Sequence, residues 1–303
     1  MSARENLRAR WRSATPATLL YAPANDDRKA GKVDKFGAEA VILDLEDAVP
    51  IDQKVQARGQ ARSRVAEIDD SILRFVRVNN METDLTREDI RQVACPDLDG
   101  FVYPKVQTAE ELWQVDSWMA EAEVELGLDA GQISLIALVE TARGVSRVDD
   151  ILDRVPDRLL TIGFGLGDYS VDMGVQLTDF GTELDYPRGR LSVAARAAGL
   201  AYAIDGPWLR VPDIDGLRGD TKRSRSFGFA GRQVIHPTHV APATQEYLGL
   251  TEERIDYYRR VVVGFEDAIA EGSAALQIDG QLVDYPIYYQ AQRALAAIPP
   301  VQG

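Results

Sequence analysis

Apolar residues fall in short blocks along this chain, at 17–21, 40–45, 72–78, 100–106, 135–140, 159–167, 201–204 and 231–235. Blocks of this length, bounded by polar segments and rich in Val, Ile and Leu, read as strands buried on both faces, as in a parallel sheet covered by helices. Between them, residues 27–36, 53–68, 87–93, 108–126 and 191–199 carry polar or helically spaced patterns. The longest opens on Thr108-Ala109-Glu110-Glu111, the arrangement of a capping box. Eight strands alternating with helices predict a (β/α)8 barrel, in which chemistry gathers at the C-terminal ends of the strands. A doubly wound open sheet is the alternative, but residues 22–25 after the first strand contain no glycine for a phosphate loop.

The pattern changes past the eighth strand. Residues 252–271 read as a helix, 272–281 as a hairpin or turn region, and 287–297 as a last helix. The predicted division is a barrel over 1–250 and a helical extension over 251–303, a candidate for packing on a neighbouring subunit.

Composition narrows the function classes. Of 303 residues, 45% are apolar and 27% charged, as in a soluble globular protein. No apolar run approaches the roughly 20 residues of a membrane span. Residues 1–16 lack the apolar core of a signal peptide, so the expected location is cytoplasmic, with no membrane partner. A single cysteine, Cys95, excludes an internal disulfide, and two histidines exclude a three-histidine zinc site. The net charge of -14 argues against nucleic acid as a partner.

Asp44, Glu46, Asp47, Arg77, Lys105, Glu140, Asp168, Asp205 and His236 all lie at or just beyond a predicted strand end. Five of the six residues from Leu135 to Glu140 are apolar, so Glu140 is delivered out of a buried run. Such a carboxylate needs hydrogen bonds, a cation or a metal. Glu140 and Asp168 suit magnesium, which takes one or two protein carboxylates and leaves its other positions to water and substrate oxygens. A 2-oxo acid could fill two of these, the metal polarising its carbonyl while Arg77 stabilises an enolate oxygen. Lys105 offers a rival centre, since a barrel lysine can form a Schiff base. Glu46 and Asp47 read as holders of metal-bound water or as solvated acids. A buried salt bridge to Asp44 or Glu46 is the structural reading of Arg77; His239 is expected to be exposed or capping.

In chain order, LLYAPAN (19–25), VILDLEDAV (41–49), VRVN (76–79), PKV (104–106), VETARG (139–144), GLGD (165–168), IDGP (204–207) and VIHP (234–237) resemble the HpcH/HpaI aldolase superfamily. The branch most similar is the citrate lyase beta subunit-like group, with malyl-CoA and citramalyl-CoA lyases. The resemblance implies a magnesium-dependent carbon–carbon lyase with Glu140 and Asp168 as metal ligands and Arg77 and Glu140 against the substrate. A CoA thioester of a 3-hydroxy acid would be cleaved to an acyl-CoA and a 2-oxo acid. It also makes Pro104-Lys105 a structural motif and not a Schiff-base site. GQLVD (280–284), followed by Ile287 and Gln290-Ala291, resembles the malyl-CoA lyase segment whose aspartate supplies an acid/base group to a neighbouring subunit. Asp284 is therefore expected to be catalytic, in a homo-oligomer, a trimer or hexamer. The alternatives are a citrate lyase beta subunit acting on an acyl-carrier-protein thioester and a non-catalytic CoA-ester binding relative.

Overall fold

The apolar blocks close into a ring. The computed structural model describes Trp11, residues 15–249 and residues 252–296. Its first eight strands are β1 (Thr18–Pro23), β2 (Ala40–Asp44), β3 (Leu73–Arg77), β4 (Gly100–Tyr103), β5 (Ser134–Val139), β6 (Leu159–Phe164), β7 (Ile204–Asp205) and β8 (Gly231–Val234). All neighbours are parallel and in chain order, and β1 pairs with β8 to complete the expected (β/α)8 barrel. Parallel neighbours need long crossovers. Helices supply them at Lys54–Val65, Thr86–Val93, Ala109–Leu126, Asp185–Ala197 and Ile214–Ser226.

Strand alternation explains where the charges go. Successive side chains point to opposite faces, so every second residue of a barrel strand faces inward. Leu19, Ala40, Ile42, Leu73, Phe75, Ile136 and Leu138 belong to the apolar cluster inside the ring, closed below by Trp11, whose ring meets Phe75 edge-on at 5.6 Å. Continuing the same inward series by two residues gives Tyr21, Asp44, Arg77 and Glu140. One periodicity thus produces a dry lower barrel and a charged upper mouth. The outward residues pack beneath the helices in a second, larger cluster.

Several boundaries differ from the sequence expectation for local reasons. The fourth strand stops at Tyr103, since Pro104 has no N–H to donate and Lys105 turns to φ 54°. The sixth stops at Phe164, so Asp168 lies in the first turn of the helix Leu166–Asp172 and not on a strand. The seventh shrinks to two residues. Residues 27–36 are not one helix: Asp27–Ala30 is capped at Gly31 and a separate 3-10 turn covers Val33–Lys35.

The chain divides into two compact units between Tyr247 and Leu248. The second contains helices Glu252–Ala270 and Tyr285–Ala296 with the antiparallel hairpin β9 (Leu276–Ile278) and β10 (Gln281–Val283). Asp279 and Gly280, both at positive φ, form the hairpin turn. Tyr258, Val261, Phe265, Val283 and Ala291 make its core, with Phe265 stacked on Tyr288 at 4.8 Å. The final helix was expected to end at Ala297, which lies outside the described residues.

Candidate active site

Asp44 and Arg77 are register partners at the ends of β2 and β3, so their side chains rise from the same face. Arg77 donates to Asp44 twice, Nε to Oδ1 at 2.7 Å and Nη2 to Oδ2 at 2.6 Å. The backbone N–H groups of Glu46 and Ala48 donate to the same carboxylate at 2.9 and 3.1 Å. Burial by itself would raise the Asp44 carboxyl, but the Arg77 guanidinium outweighs it and holds it below the usual value. A fork held on two atoms loses its rotational freedom. Its Cζ lies 5.2 Å above the Tyr21 ring, whose hydroxyl donates to Gln233 Oε1 at 2.8 Å.

Glu46 and Asp47 follow β2 at the same rim. Lys105 Nζ donates to Glu46 Oε1 at 2.7 Å, while Arg77 Nη1 stands 2.9 Å from Oε2 without hydrogen-bond alignment. Lys105 Nζ also lies 3.4 Å from Asp47 and 3.7 Å from Asp168. Burial would lower the Lys105 ammonium, but Glu46, Asp168 and Asp47 outweigh it and raise it above its ordinary range. An ammonium engaged by three carboxylates is poorly suited to act as a Schiff-base nucleophile. Beneath the rim, buried Lys54 donates to the carbonyls of Leu45 and Glu46 at 2.8 Å each and to Asn79 Oδ1 at 2.6 Å, fixing the loop that carries both acids.

Glu140 is 2% exposed. Its Oε1 accepts the Lys105 backbone N–H at 3.0 Å, and Gly165 closes the other side: a Cβ there would lie 2.0 Å from Oε2. Among the described residues no lysine or arginine nitrogen comes within ion-pair distance of it. Burial therefore pushes its carboxyl up to about 8, with Arg77 opposing and Glu46 and Asp168 adding to the rise. Asp168, its side chain 39% exposed, stands across Lys105 from Glu46. Among the described residues no group of three or more His, Cys, Asp or Glu side chains could hold a metal. The donor set that remains, one buried carboxylate without a counter-cation and one half-open carboxylate, fits magnesium rather than zinc.

The folded barrel thus brings Arg77, Glu46, Asp47, Lys105, Glu140 and Asp168 to one rim. Asp205 is elsewhere, fully buried and paired with Arg188 at 2.9 Å. His236 hydrogen-bonds to its neighbour Thr238. His239 is not exposed: it is fully buried and donates from Nε2 to the Val211 carbonyl at 2.9 Å. Asp284 belongs to the second unit, half-buried at the N-terminus of Tyr285–Ala296, where Oδ1 accepts the Ile287 N–H at 3.4 Å. Sequence reasoning missed Tyr21, Gln233, Lys54 and Gly165. For Tyr21 the signal was present in the inward alternation of β1.

Residues 17–237 match the family described as HpcH/HpaI aldolase/citrate lyase. This chain belongs to that family. It is 31% identical over 279 residues to citrate lyase subunit beta from Leuconostoc mesenteroides, covering 92% of this chain and 91% of the relative. It is 30% identical over 280 residues to (3S)-malyl-CoA thioesterase from Cereibacter sphaeroides, covering 92% and 93%. Protein CitE from Mycobacterium tuberculosis, solved in complex with magnesium, acetoacetate and coenzyme A, superposes with a TM-score of 0.78 at 26% identity, covering 94% of this chain and 99% of that one. No described helix is long and apolar enough to cross a membrane.

Proposed function

We propose that this member of the family is a magnesium-dependent carbon–carbon lyase that cleaves a 3-hydroxyacyl-CoA thioester of the malyl, methylmalyl or citramalyl type to an acyl-CoA and a 2-oxo acid. The observation that carries the proposal is the buried Glu140 carboxylate, which accepts a hydrogen bond but has no cation within ion-pair distance among the described residues, beside an arginine already fixed in place. Glu140 and Asp168 would hold the metal, with Glu46 and Asp47 around it. Bound there, magnesium supplies Lewis-acid polarisation of the oxygen that becomes the keto group.

The protein's own residues account for the other demands of the reaction. Cleavage removes the hydroxyl proton, moves the carbon–carbon bonding pair onto the thioester as an enolate, and ends with a proton delivered to that carbon. Asp44 takes two of the Arg77 donors and fixes the guanidinium, and Nη1, which stands 2.9 Å from Glu46 without hydrogen-bond alignment, is the donor that would turn to the enolate oxygen as charge develops. The acid/base group is Asp284, offered by a neighbouring subunit of a homo-oligomer, a trimer or hexamer, acting in the cytoplasm. The coenzyme A bound to the Mycobacterium tuberculosis structure and the malyl-CoA thioester named for the Cereibacter relative support the thioester class.

The near full-length likeness to the Leuconostoc citrate lyase subunit favours a second reading, cleavage of an acyl-carrier-protein thioester. One assay separates them: purified protein with malyl-CoA, methylmalyl-CoA and citramalyl-CoA, with and without magnesium. Acyl-CoA and 2-oxo acid formed only with magnesium support the lyase, and free CoA in their place would identify a thioesterase. Turnover confined to carrier-protein thioesters would establish the second reading.

A further inference from the structure

Lys105 is held in an unusual way for a residue with a side chain. Its φ of 54° lies in the left-handed region that disfavours any residue carrying a Cβ. What this conformation achieves is a double grip. The backbone N–H reaches Glu140 at 3.0 Å, while the ammonium reaches Glu46 at 2.7 Å, Asp47 at 3.4 Å and Asp168 at 3.7 Å. Arg77 is matched chiefly to Asp44 by its two short bonds and also stands 2.9 Å from Glu46 and 3.7 Å from Asp47, so Lys105 shares those two acids with it and is, among the described residues, the one cation within ion-pair distance of Asp168. Only 22% of the side chain is exposed, so water screens it weakly.

We infer that Lys105 is a tethered counter-cation that competes with the divalent metal for the rim carboxylates, so that removing its charge tightens metal binding. The inference rests on the magnesium reading proposed above. A monovalent ammonium beside Asp168 both engages that carboxylate and repels a second cation. It thereby keeps Glu46 and Asp47 in place and prevents the acid cluster from holding metal too firmly to release product. The backbone grip on Glu140 is independent of the side chain and survives substitution.

The test is isothermal calorimetry with magnesium on the full-length wild type, Lys105→Met and Lys105→Arg. The methionine variant should bind at least fivefold more tightly and gain a larger magnesium-induced rise in melting temperature, while its turnover falls at least tenfold. Lys105→Arg, which keeps the charge, should bind within threefold of wild type. Lys105→Gln serves as the neutral variant if Lys105→Met does not fold. A merely structural lysine would make every neutral variant bind metal more weakly. Unchanged or weaker affinity in folded Lys105→Met, or an arginine variant as tight as the methionine one, overturns the inference while leaving the magnesium site standing. Failure of wild type and variants alike to bind magnesium overturns the site itself, and the inference with it.

Discussion

Gly165 and Glu140 are in such close contact that a Cβ on the glycine would stand 2.0 Å from Oε2 and 2.4 Å from Cδ of the glutamate. The glycine is at φ -93°, an ordinary value, so its requirement is space and not backbone freedom. Gly165→Ala must push the carboxylate away from the Lys105 N–H. Overpacking of this kind costs about 1–3 kcal/mol. The expected outcome is a folded protein of lower melting temperature whose magnesium affinity falls more than tenfold. Calorimetry showing wild-type affinity would mean that Glu140 is not a ligand or that the glutamate has room to yield.

The same burial makes stability depend on pH in a defined direction. The Glu140 carboxyl is raised from 4.5 to about 8 by burial. In that interval the metal-free folded protein holds a proton that the unfolded chain has released. Its stabilising contribution is complete below pH 4.5 and is lost as pH rises through about 8. Glu140→Gln should flatten this fall in denaturant titrations of metal-free protein. Magnesium needs the ionised carboxylate, so wild-type affinity should rise with pH over the same range and binding should release a proton. Affinity independent of pH would contradict Glu140 as a ligand.

The barrel and its charged rim were legible in the sequence because both follow from periodicity. Apolar runs ending in acids at 44–47 and 140 mark strand ends, and the inward alternation places Asp44, Arg77 and Glu140 together. What stayed hidden depends on contacts between distant segments. Lys54, on a crossover helix, reads as a solvated lysine until folding sets it under Leu45, Glu46 and Asn79. The reach of Lys105 to three acids follows from its left-handed φ, which no local pattern announces. Buried His239 looked like a loop residue because its partner, the Val211 carbonyl, lies 28 residues away.

Arg77→Lys tests the fixed fork. An ammonium cannot reproduce two parallel bonds to Asp44 and still present a donor outward. Turnover should fall about 100-fold, the usual cost of losing an oxyanion donor, with magnesium affinity little changed. Asp44→Ala should be worse for folding, since it leaves Arg77 as a buried charge without its main partner. Such a loss costs about 3–5 kcal/mol and should appear as a lower denaturation midpoint. A fully active Arg77→Lys enzyme would remove Arg77 from the mechanism.

Asp284 allows its catalytic and structural roles to be separated by one isosteric change. Its carboxylate accepts the Ile287 N–H and so caps the helix Tyr285–Ala296, a task an asparagine side chain performs equally well. Asparagine cannot transfer a proton at neutral pH. Asp284→Asn should therefore keep the melting temperature, magnesium binding and CoA binding of wild type while losing most of its turnover. Full turnover would reduce Asp284 to a helix cap. If the residue serves a neighbouring active site, inactive Asp284→Asn and inactive Glu140→Ala chains complement one another. Some mixed oligomers then contain a site with Glu140 intact and a donated Asp284 intact. Co-refolding the two should restore part of the activity, and no recovery in oligomers proven to be mixed would place the proton-transfer group within a single chain.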